Sequence, residues 1–517
     1  MRRLLVLAAV VAAIIAFPLI GRAASGDIGY RDYDYYPGFA PTGSKPESKL
    51  WFNDGSWWAV MFAPGDKAFG IFRLDRTAQT WTDTGMRLDA RDQSRSDVLW
   101  DGSHLYVASH QFTGGASSSG EPASLYRLSY AAGGYMLDPG FPVAINDVSS
   151  ETLVIDRDSS GTLWATWTAN SRVFVNHTLN GNDATWGSPF TPVISGTAVS
   201  ADDISSLIAF GGNRIGLMWS NEDDDAMYFA THVDGADPGQ WTRETALGGP
   251  GLADDHINLK ADSSGRVYAA VKTGESSGTS ALIRLLVRDT GGTWSSHTFA
   301  TVADGHTRPI VVLDEQHQMV HMFASGPANG NPTGEVGGII FEKSASMSDL
   351  TFPTGAGTPV MADPGTSRIN NATASKGNVS SATGMLVLAG DDASDLYWHS
   401  FDPLDGTAPT PTATPSATAT PVPTPTPTPV PGNGIFLRSE RSTSTAETFS
   451  LQVNAAPNVA PGDVLLASLS LRGTPEITAP LGWQLVRMDP NGTSVRQAIY
   501  LHVATDNEPA SYNFTFS

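Results

Sequence analysis

Between Lys45 and Leu404 short apolar runs alternate with tight Gly/Asp/Asn turns, and one unit recurs: a polar lead-in, a hydrophobic strand, a turn, and an aromatic-bearing strand. The copies read LWFNDGSWWAVMF from Leu50, VLWDGSHLYVASH from Val98, LVIDRDSSGTLWATW from Leu153 and LIAFGGNRIGLMWS from Leu207. LKADSSGRVYAAVK from Leu259, IVVLDEQHQMVHMFA from Ile310 and SKGNVSSATGMLVLAG from Ser375 follow. The first six starts lie 48, 55, 54, 52 and 51 residues apart. Period-2 alternation inside each copy predicts strands, and several strands per ~50 residues predict a β-propeller. The fold class expected is therefore all-β, with seven blades, or alternatively six, or a ring closed by the segment near Gly29 to Tyr36.

Each copy continues into a third strand and a Trp-marked turn, which puts Trp81, Trp186, Trp241 and Trp294 at matching positions. Their large rings suit packing between blades better than sugar stacking. Asp158-Ser159-Ser160-Gly161-Thr162-Leu163-Trp164 and Asp262-Ser263-Ser264-Gly265-Arg266-Val267-Tyr268 resemble the D-x-x-G-x-hydrophobic-aromatic hairpin of bacterial sensor propellers. They also resemble the aspartate-box hairpin of sialidase-type propellers, which has one residue between Asp and Gly where this chain has two. The resemblance implies a folding element, in which Asp accepts turn amides and Gly takes positive φ. It implies fold and not activity.

Outside the repeat the pattern changes twice. Met1-Arg2-Arg3, the apolar run Leu4–Ile20 and Gly21-Arg22-Ala23-Ala24 read as a secretory signal over 1–23, with an uncleaved anchor as the alternative. Pro409–Pro431 holds nine Pro in 23 residues, too polar and stiff to build a core. In polyproline II it would reach about 70 Å. Beyond it, alternating segments such as Val464–Leu471 and Gln497–Val503 predict a small β-sandwich, similar to modules behind Pro/Thr linkers in bacterial exoproteins. Its final alternating strand, Tyr512–Ser517, reads either as the last strand or as a truncation. The expected organisation is signal 1–23, N-terminal extension 24–44, propeller 45–406, Pro/Thr-rich linker 407–433 and sandwich 434–517.

Composition narrows the function classes. Among 517 residues, 52 acidic against 31 basic side chains leave a formal charge of −21, which disfavours nucleic acid as partner. Zero Cys excludes a disulfide scaffold, Cys-ligated zinc and thiol chemistry. A secreted or cell-surface location follows from the leader.

Propeller geometry then focuses the search, because the residues leading into the innermost strands surround the axis on one face. They are Lys45, Arg95, Asp97, Glu151, Asp202, Asp203, Asp254, Asp255, His256, His306 and Arg308. Glu151, Asp203, Asp255 and His256 are the candidates for acid–base work on a glycosidic bond, since crowded carboxylates hold a proton that one of them can donate. Lys45, Arg95, Asp97, Asp203, Asp255, His256, His306 and Arg308 are the candidate ligand-binding set, with Arg95 and Arg308 suited to clamping an anionic sugar. The competing reading for each is a side chain pinning backbone amides of the next blade. Asp223, Asp225, Asp391 and Asp395, in acidic loops with Asp224 and Asp392, offer hard oxygens for calcium but lack EF-hand spacing; solvated turns are the alternative.

A catalytic sialidase does not fit: there is no Arg-Ile-Pro, two Arg fall in the ring where that family uses three, and no Glu pairs with Tyr30, Tyr33, Tyr35 or Tyr36. The reading is recognition of a glycan or other extracellular polymer without catalysis. A glycoside hydrolase or polysaccharide lyase using the axial acids is the first alternative, and a structural or adhesion protein the second.

Overall fold

The computed structural model describes residues 27–35, 40–43, 45–91, 93–328, 338–364, 368–404, 449–455, 459–473, 475–491, 495–505 and 508–517. The expected signal at 1–23, the Pro/Thr-rich linker, Tyr36 and positions 329–337 lie outside these residues. The chain divides into two compact units, Met1–Ser416 and Ala417–Ser517.

Among the described residues the first unit carries seven antiparallel sheets in chain order. Sheet 1 is Leu50–Asn53, Ser56–Ala63, Ala68–Asp75 and Thr80–Arg87. The innermost strands of the next six are Ser94–Trp100, Leu153–Arg157, Ser205–Phe210, Ile257–Ala261, Thr307–Asp314 and Ile369–Thr373. Sheets 1 to 6 place their strands in sequence order, innermost to outermost, and sheet 2 adds the short strand Gly134–Leu137. Sheet 7 is completed from the other end of the chain: Tyr30–Asp34 pairs antiparallel with Leu396–Asp402. The 24–44 extension thus contributes a strand to the repeat region. Sequential four-stranded sheets joined along their innermost strands are the arrangement of a β-propeller.

Local chemistry accounts for the turns. Asp54 and Gly55 both take positive φ (49° and 69°), the pairing a two-residue type I′ hairpin requires. In the D-x-x-G hairpins, Asp158 Oδ1 accepts the amides of Ser160 and Thr162 at 2.9 Å each, and Gly161 sits at φ 90°. Asp262 Oδ1 likewise accepts the amides of Ser264 and Arg266 at 3.0 Å, with Gly265 at φ 91°. Both Asp then bind the aromatic residue six positions on, Trp164 Nε1 at 2.9 Å and Tyr268 OH at 3.1 Å. The seventh copy starts before Ser375, the start that the sequence pattern predicts: its innermost strand is Ile369–Thr373, and the stretch from Ser375 is mostly the loop before Met385–Asp391.

Side chains stitch each innermost strand to its neighbours. Asp97 Oδ1 accepts the Ser48 amide at 2.8 Å and its Oδ2 the Ile155 amide at 2.9 Å, so one carboxylate spans sheets 1, 2 and 3. Asp156 Oδ2 accepts Ala209 N at 2.7 Å, and Asn258 Oδ1 accepts Val311 N at 3.1 Å. Sheet 7 returns to the start through a parallel bridge between Leu50 and Ser375 and a bond from the Lys49 amide to Thr373 Oγ1 at 3.2 Å. Between sheets the aromatic residues pack as expected. Trp81 donates to Asp32 at 3.2 Å, Trp241 meets Trp164 edge-on at 5.8 Å, and Trp294 meets Phe229 at 5.2 Å.

Among its described residues the second unit holds two three-stranded antiparallel sheets, one of Ser450–Asn454, Ser511–Phe516 and Ile477–Thr478, the other of Val464–Arg472, Val495–Val503 and Gln484–Asn491. Leu469, Ala498 and Tyr500 of one share an apolar cluster with Tyr512, Phe514 and Phe516 of the other.

Candidate functional site

The lead-in residues converge only in part. Lys45, ahead of sheet 1, extends its ammonium to Glu151 Oε1 of the sheet 3 lead-in at 2.7 Å and also contacts Asp255 of the sheet 5 lead-in. A side chain joining sheets 1, 3 and 5 lies on the axis. Glu151, Asp202 and Asp255 present oxygens all within 4.8 Å of one another, and Asp202 is exposed. Burial lowers the Lys45 ammonium pKa, opposed by Glu151 and Asp202. Lys45 and Arg308 both hold left-handed backbone, φ 29° and 53°, strain of the sort found at ligand-facing positions.

Beside this cluster His256 Nδ1 lies 2.6 Å from both Asp254 Oδ1 and Asp255 Oδ1. Burial, aided by the Lys45 charge, pushes the imidazole pKa down to about 3, so it is neutral and donates one Nδ1–H to the carboxylates. Asp254 also receives Lys272 Nζ at 2.7 Å. Burial alone would raise the Asp254 carboxyl; the hydrogen bond from His256 and the charge and bond of Lys272 outweigh it and hold the carboxyl low. Glu222, exposed at the end of the second strand of sheet 4, moves the other way. Burial together with Asp203, Asp254 and Asp202 raises its carboxyl to about 7.

Other members of the ring have different duties. Asp97 is fully buried, engaged with two amides and Lys376 Nζ at 2.8 Å, and lies inside its strand. Asp203, also fully buried, accepts the Ser200 amide at 2.8 Å and the Glu222 amide at 3.2 Å, closing the loop at the sheet 4 entrance. These two behave as backbone pins, since a buried carboxylate needs such partners. Arg95 is 4% exposed, with its guanidinium over the Phe112 ring at 4.7 Å, and so is not placed as an open anion clamp. His306 is buried at the flank of sheet 6, donating its Nε2–H to Ala356 O at 2.9 Å, between Phe299 and Phe341. Arg308 stays near the axis, where its charge acts on both Lys45 and Asp392. Tyr33 is buried on Phe62 O at 2.9 Å, and Tyr35 against Tyr397.

The acidic loops do not gather. Asp391 Oδ1 accepts the Arg368 and Ala393 amides at 3.1 and 2.9 Å, and Asp225 Oδ1 accepts Gly251 N at 2.8 Å. Among the described residues the clustered donor groups are Glu151–Asp202–Asp255 and Asp254–Asp255–His256, and neither contains Asp223, Asp225, Asp391 or Asp395.

Sequence reasoning missed the polar interior beneath the mouth. Glu47 accepts His110 Nε2 and Lys49 Nζ at 2.7 Å each and the Leu153 amide at 2.9 Å; burial raises its carboxyl, but Lys49 and His110 win and set it at about 2. Lys260, fully enclosed, donates to Ser375 O at 2.6 Å, and burial with the nearby Lys376 lowers its pKa to about 7. For Lys260 the available signal was a charge on an innermost strand between Leu259 and Ala261; Glu47, between Pro46 and Ser48 ahead of Leu50–Asn53, carried none. Lys272 and Glu222 were missed because they end second strands.

A mouth of this composition can accept hydrogen bonds from hydroxyls at several carboxylates and donate from an ammonium held between them. No family model matches the chain, and none of the curated proteins matches it. Solved structures with similar folds include the periplasmic gluconolactonase PpgL of Pseudomonas aeruginosa, 14% identical over 68% of this chain and 93% of that one, TM-score 0.46. The polysaccharide lyase Uly1 is 11% identical over 76% and 98%, TM-score 0.41. The six-bladed fucose-recognising lectin of Aleuria aurantia is 14% identical over 50% and 77%, TM-score 0.33.

Proposed function

We propose that this chain is a secreted glycan-recognition protein. In this reading a seven-bladed propeller binds sugar hydroxyls at its axial mouth without turning them over, a Pro/Thr-rich spacer follows, and residues 449–517 belong to a β-sandwich module. The observation that carries the reading is the meeting of Lys45, Glu151, Asp202 and Asp255, drawn from four different sheet lead-ins, at one partly open point. Paired charges of opposite sign held in fixed positions suit a ligand that both donates and accepts.

A glycan array probed with the full chain tests it. Binding to at least one glycan class is expected, weakened about tenfold or more in Asp255→Asn while the melting temperature holds. Silence across the array, or equal binding by Asp255→Asn, would refute it. One observation favours a hydrolase as the second reading: a Glu222 carboxyl that keeps its proton to about pH 7 beside three other acids has the property of a general acid. Turnover of chromogenic glycosides that vanishes in Glu222→Gln would select that reading instead.

A further inference from the structure

A cleft of about 530 Å³ lies between the outer parts of sheets 5 and 6. It runs from the fourth strand of sheet 5, Trp294–Thr301, past the turn Val302–Asp304 to the third strand of sheet 6, Ile339–Ser346, and the loop after it. Its volume falls within the range of small-molecule sites, roughly 300–1,000 Å³. None of Lys45, Glu151, Asp202 and Asp255 lines it, so it is separate from the axial cluster. Phe299 and Phe352, both buried and packed edge-on at 5.7 Å, give it an apolar wall together with Leu350. Lys343, Asp304 and several threonines supply the polar groups.

Lys343 is 4% exposed. Its Nζ donates to Phe299 O at 2.5 Å and sits 4.8 Å from the centre of the Phe299 ring. An ammonium has three N–H groups to place. Among the described residues Lys343 forms no ion pair, whereas the buried ammoniums of Lys45 and Lys49 meet Glu151 and Glu47 at 2.7 Å each. Asp304 acts on Lys343 only through its charge, which opposes the lowering of the ammonium pKa by burial. Its Oδ2 is taken by the Thr301 amide and hydroxyl at 2.8 and 2.9 Å. Burial also lowers the His297 imidazole pKa, so Lys343 is the cation of the lining. The backbone makes room for it: Gly357 holds φ 98°, and a Cβ there would approach Lys343 Cγ at 2.9 Å. A buried charge without a counter-ion is unfavourable, and an anion seated beside it would relieve that strain through a charge-assisted hydrogen bond.

We infer that this cleft binds a sugar acid, the Lys343 ammonium receiving the carboxylate of a hexuronate while Phe352 and Leu350 cover the C–H face of its ring. Asp304 Oδ1 and the threonines are then placed to bond its hydroxyls. The need for an anion follows from Lys343; the choice of a sugar among carboxylates rests on the glycan-recognition reading. An anionic sugar, expected between Arg95 and Arg308 on the axis, is assigned instead to the rim.

Calorimetric titration of the full chain at pH 6 and about 0.15 M salt with an α-1,4-linked digalacturonate, its dimethyl ester and benzoate tests it. The acid is expected to bind at least about tenfold more tightly than the ester. Benzoate, which offers a carboxylate and an apolar face without hydroxyls, should bind more weakly than the acid by a similar factor. Lys343→Met, which keeps an apolar stem in the same space, should erase the preference for acid over ester. Thr354→Trp, at an exposed position on the rim, should weaken the acid about tenfold with the ammonium intact, and it serves equally if Lys343→Met does not fold. No binding of the digalacturonate, equal affinity for acid and ester, or benzoate binding as tightly as the acid would overturn the inference. So would a preference that survives Lys343→Met, or undiminished binding by Thr354→Trp. Those results leave the axial reading to the array and Asp255→Asn. Conversely, uronate binding lost in Lys343→Met, on a chain whose every array ligand binds Asp255→Asn equally, would sink the axial reading and leave this one standing.

Discussion

Glu222 binds its proton more tightly in the folded chain than in the unfolded one, and the consequence for stability has a definite sign. A carboxyl raised from 4.5 to about 7 contributes stability that is fully present below about pH 4.5 and is lost as the pH rises through about 7. Glu222→Gln should therefore flatten the fall in melting temperature between pH 5 and 7.5 relative to the parent, measured by calorimetry in matched buffers. An unchanged slope would mean that the carboxylates around it do not act on it as described. Asp97 makes the contrasting case. It is enclosed, it bridges amides of two neighbouring strands and it neutralises Lys376, so Asp97→Ala should cost about 3 kcal/mol in denaturant unfolding. In the sequence Asp97 and Asp203 look the same as Asp202 and Asp255. Whether a carboxylate faces an amide or the open mouth depends on strand register, which residue type does not encode. Glu222 was hidden for a related reason, since it reads as one more member of an acidic turn.

Hairpins were more legible, because their chemistry is local. The Asp and Gly of the D-x-x-G turns act through bonds spanning four residues, so the pattern alone specifies them. The two copies nevertheless differ in surroundings, which makes a comparison informative. A Cβ at Gly265 would approach Gly211 Cα at 2.9 Å, whereas one at Gly161 would meet the guanidinium end of the Arg157 side chain at 3.3 Å. Both substitutions strain a backbone at positive φ, so Gly161→Ala should lose about 1 kcal/mol and Gly265→Ala about 2–3, the extra arising from contact with the next sheet. Equal losses would show that the sheet 4 and sheet 5 hairpins do not touch. The start of the seventh copy was illegible for an opposite reason. Ile369–Thr373 carries two adjacent Asn, with Asn371 at φ 56° and a register shift before Thr373, which breaks the apolar alternation that betrays the other innermost strands.

At the scale of the whole molecule, repetition made the propeller readable, since the same unit is written with different residues about every fifty positions. The completion of sheet 7 by Tyr30–Asp34 was foreseen only as an option, because pairing across more than 360 residues leaves no local trace. Asp32 on that strand receives His399 Nδ1 at 2.8 Å as well as Trp81 Nε1, tying the first strand to sheets 7 and 1 at once. Deleting residues 27–35 should accordingly lower the unfolding midpoint of the 27–404 unit by several degrees in thermal melts followed by Trp fluorescence; an unshifted midpoint would mean that the strand is ornamental.

Ligand recognition at the axial mouth is the claim on which the functional account turns, and hydrogen exchange of the full chain, with and without its strongest array ligand, addresses it most directly. Slowed exchange is predicted at the amides of 113–118, 168–171, 200–203 and 253–256, which frame the carboxylates that Lys45 joins. Protection confined to the opposite hairpins at 158–162 and 262–266, or to residues 449–517, would contradict it.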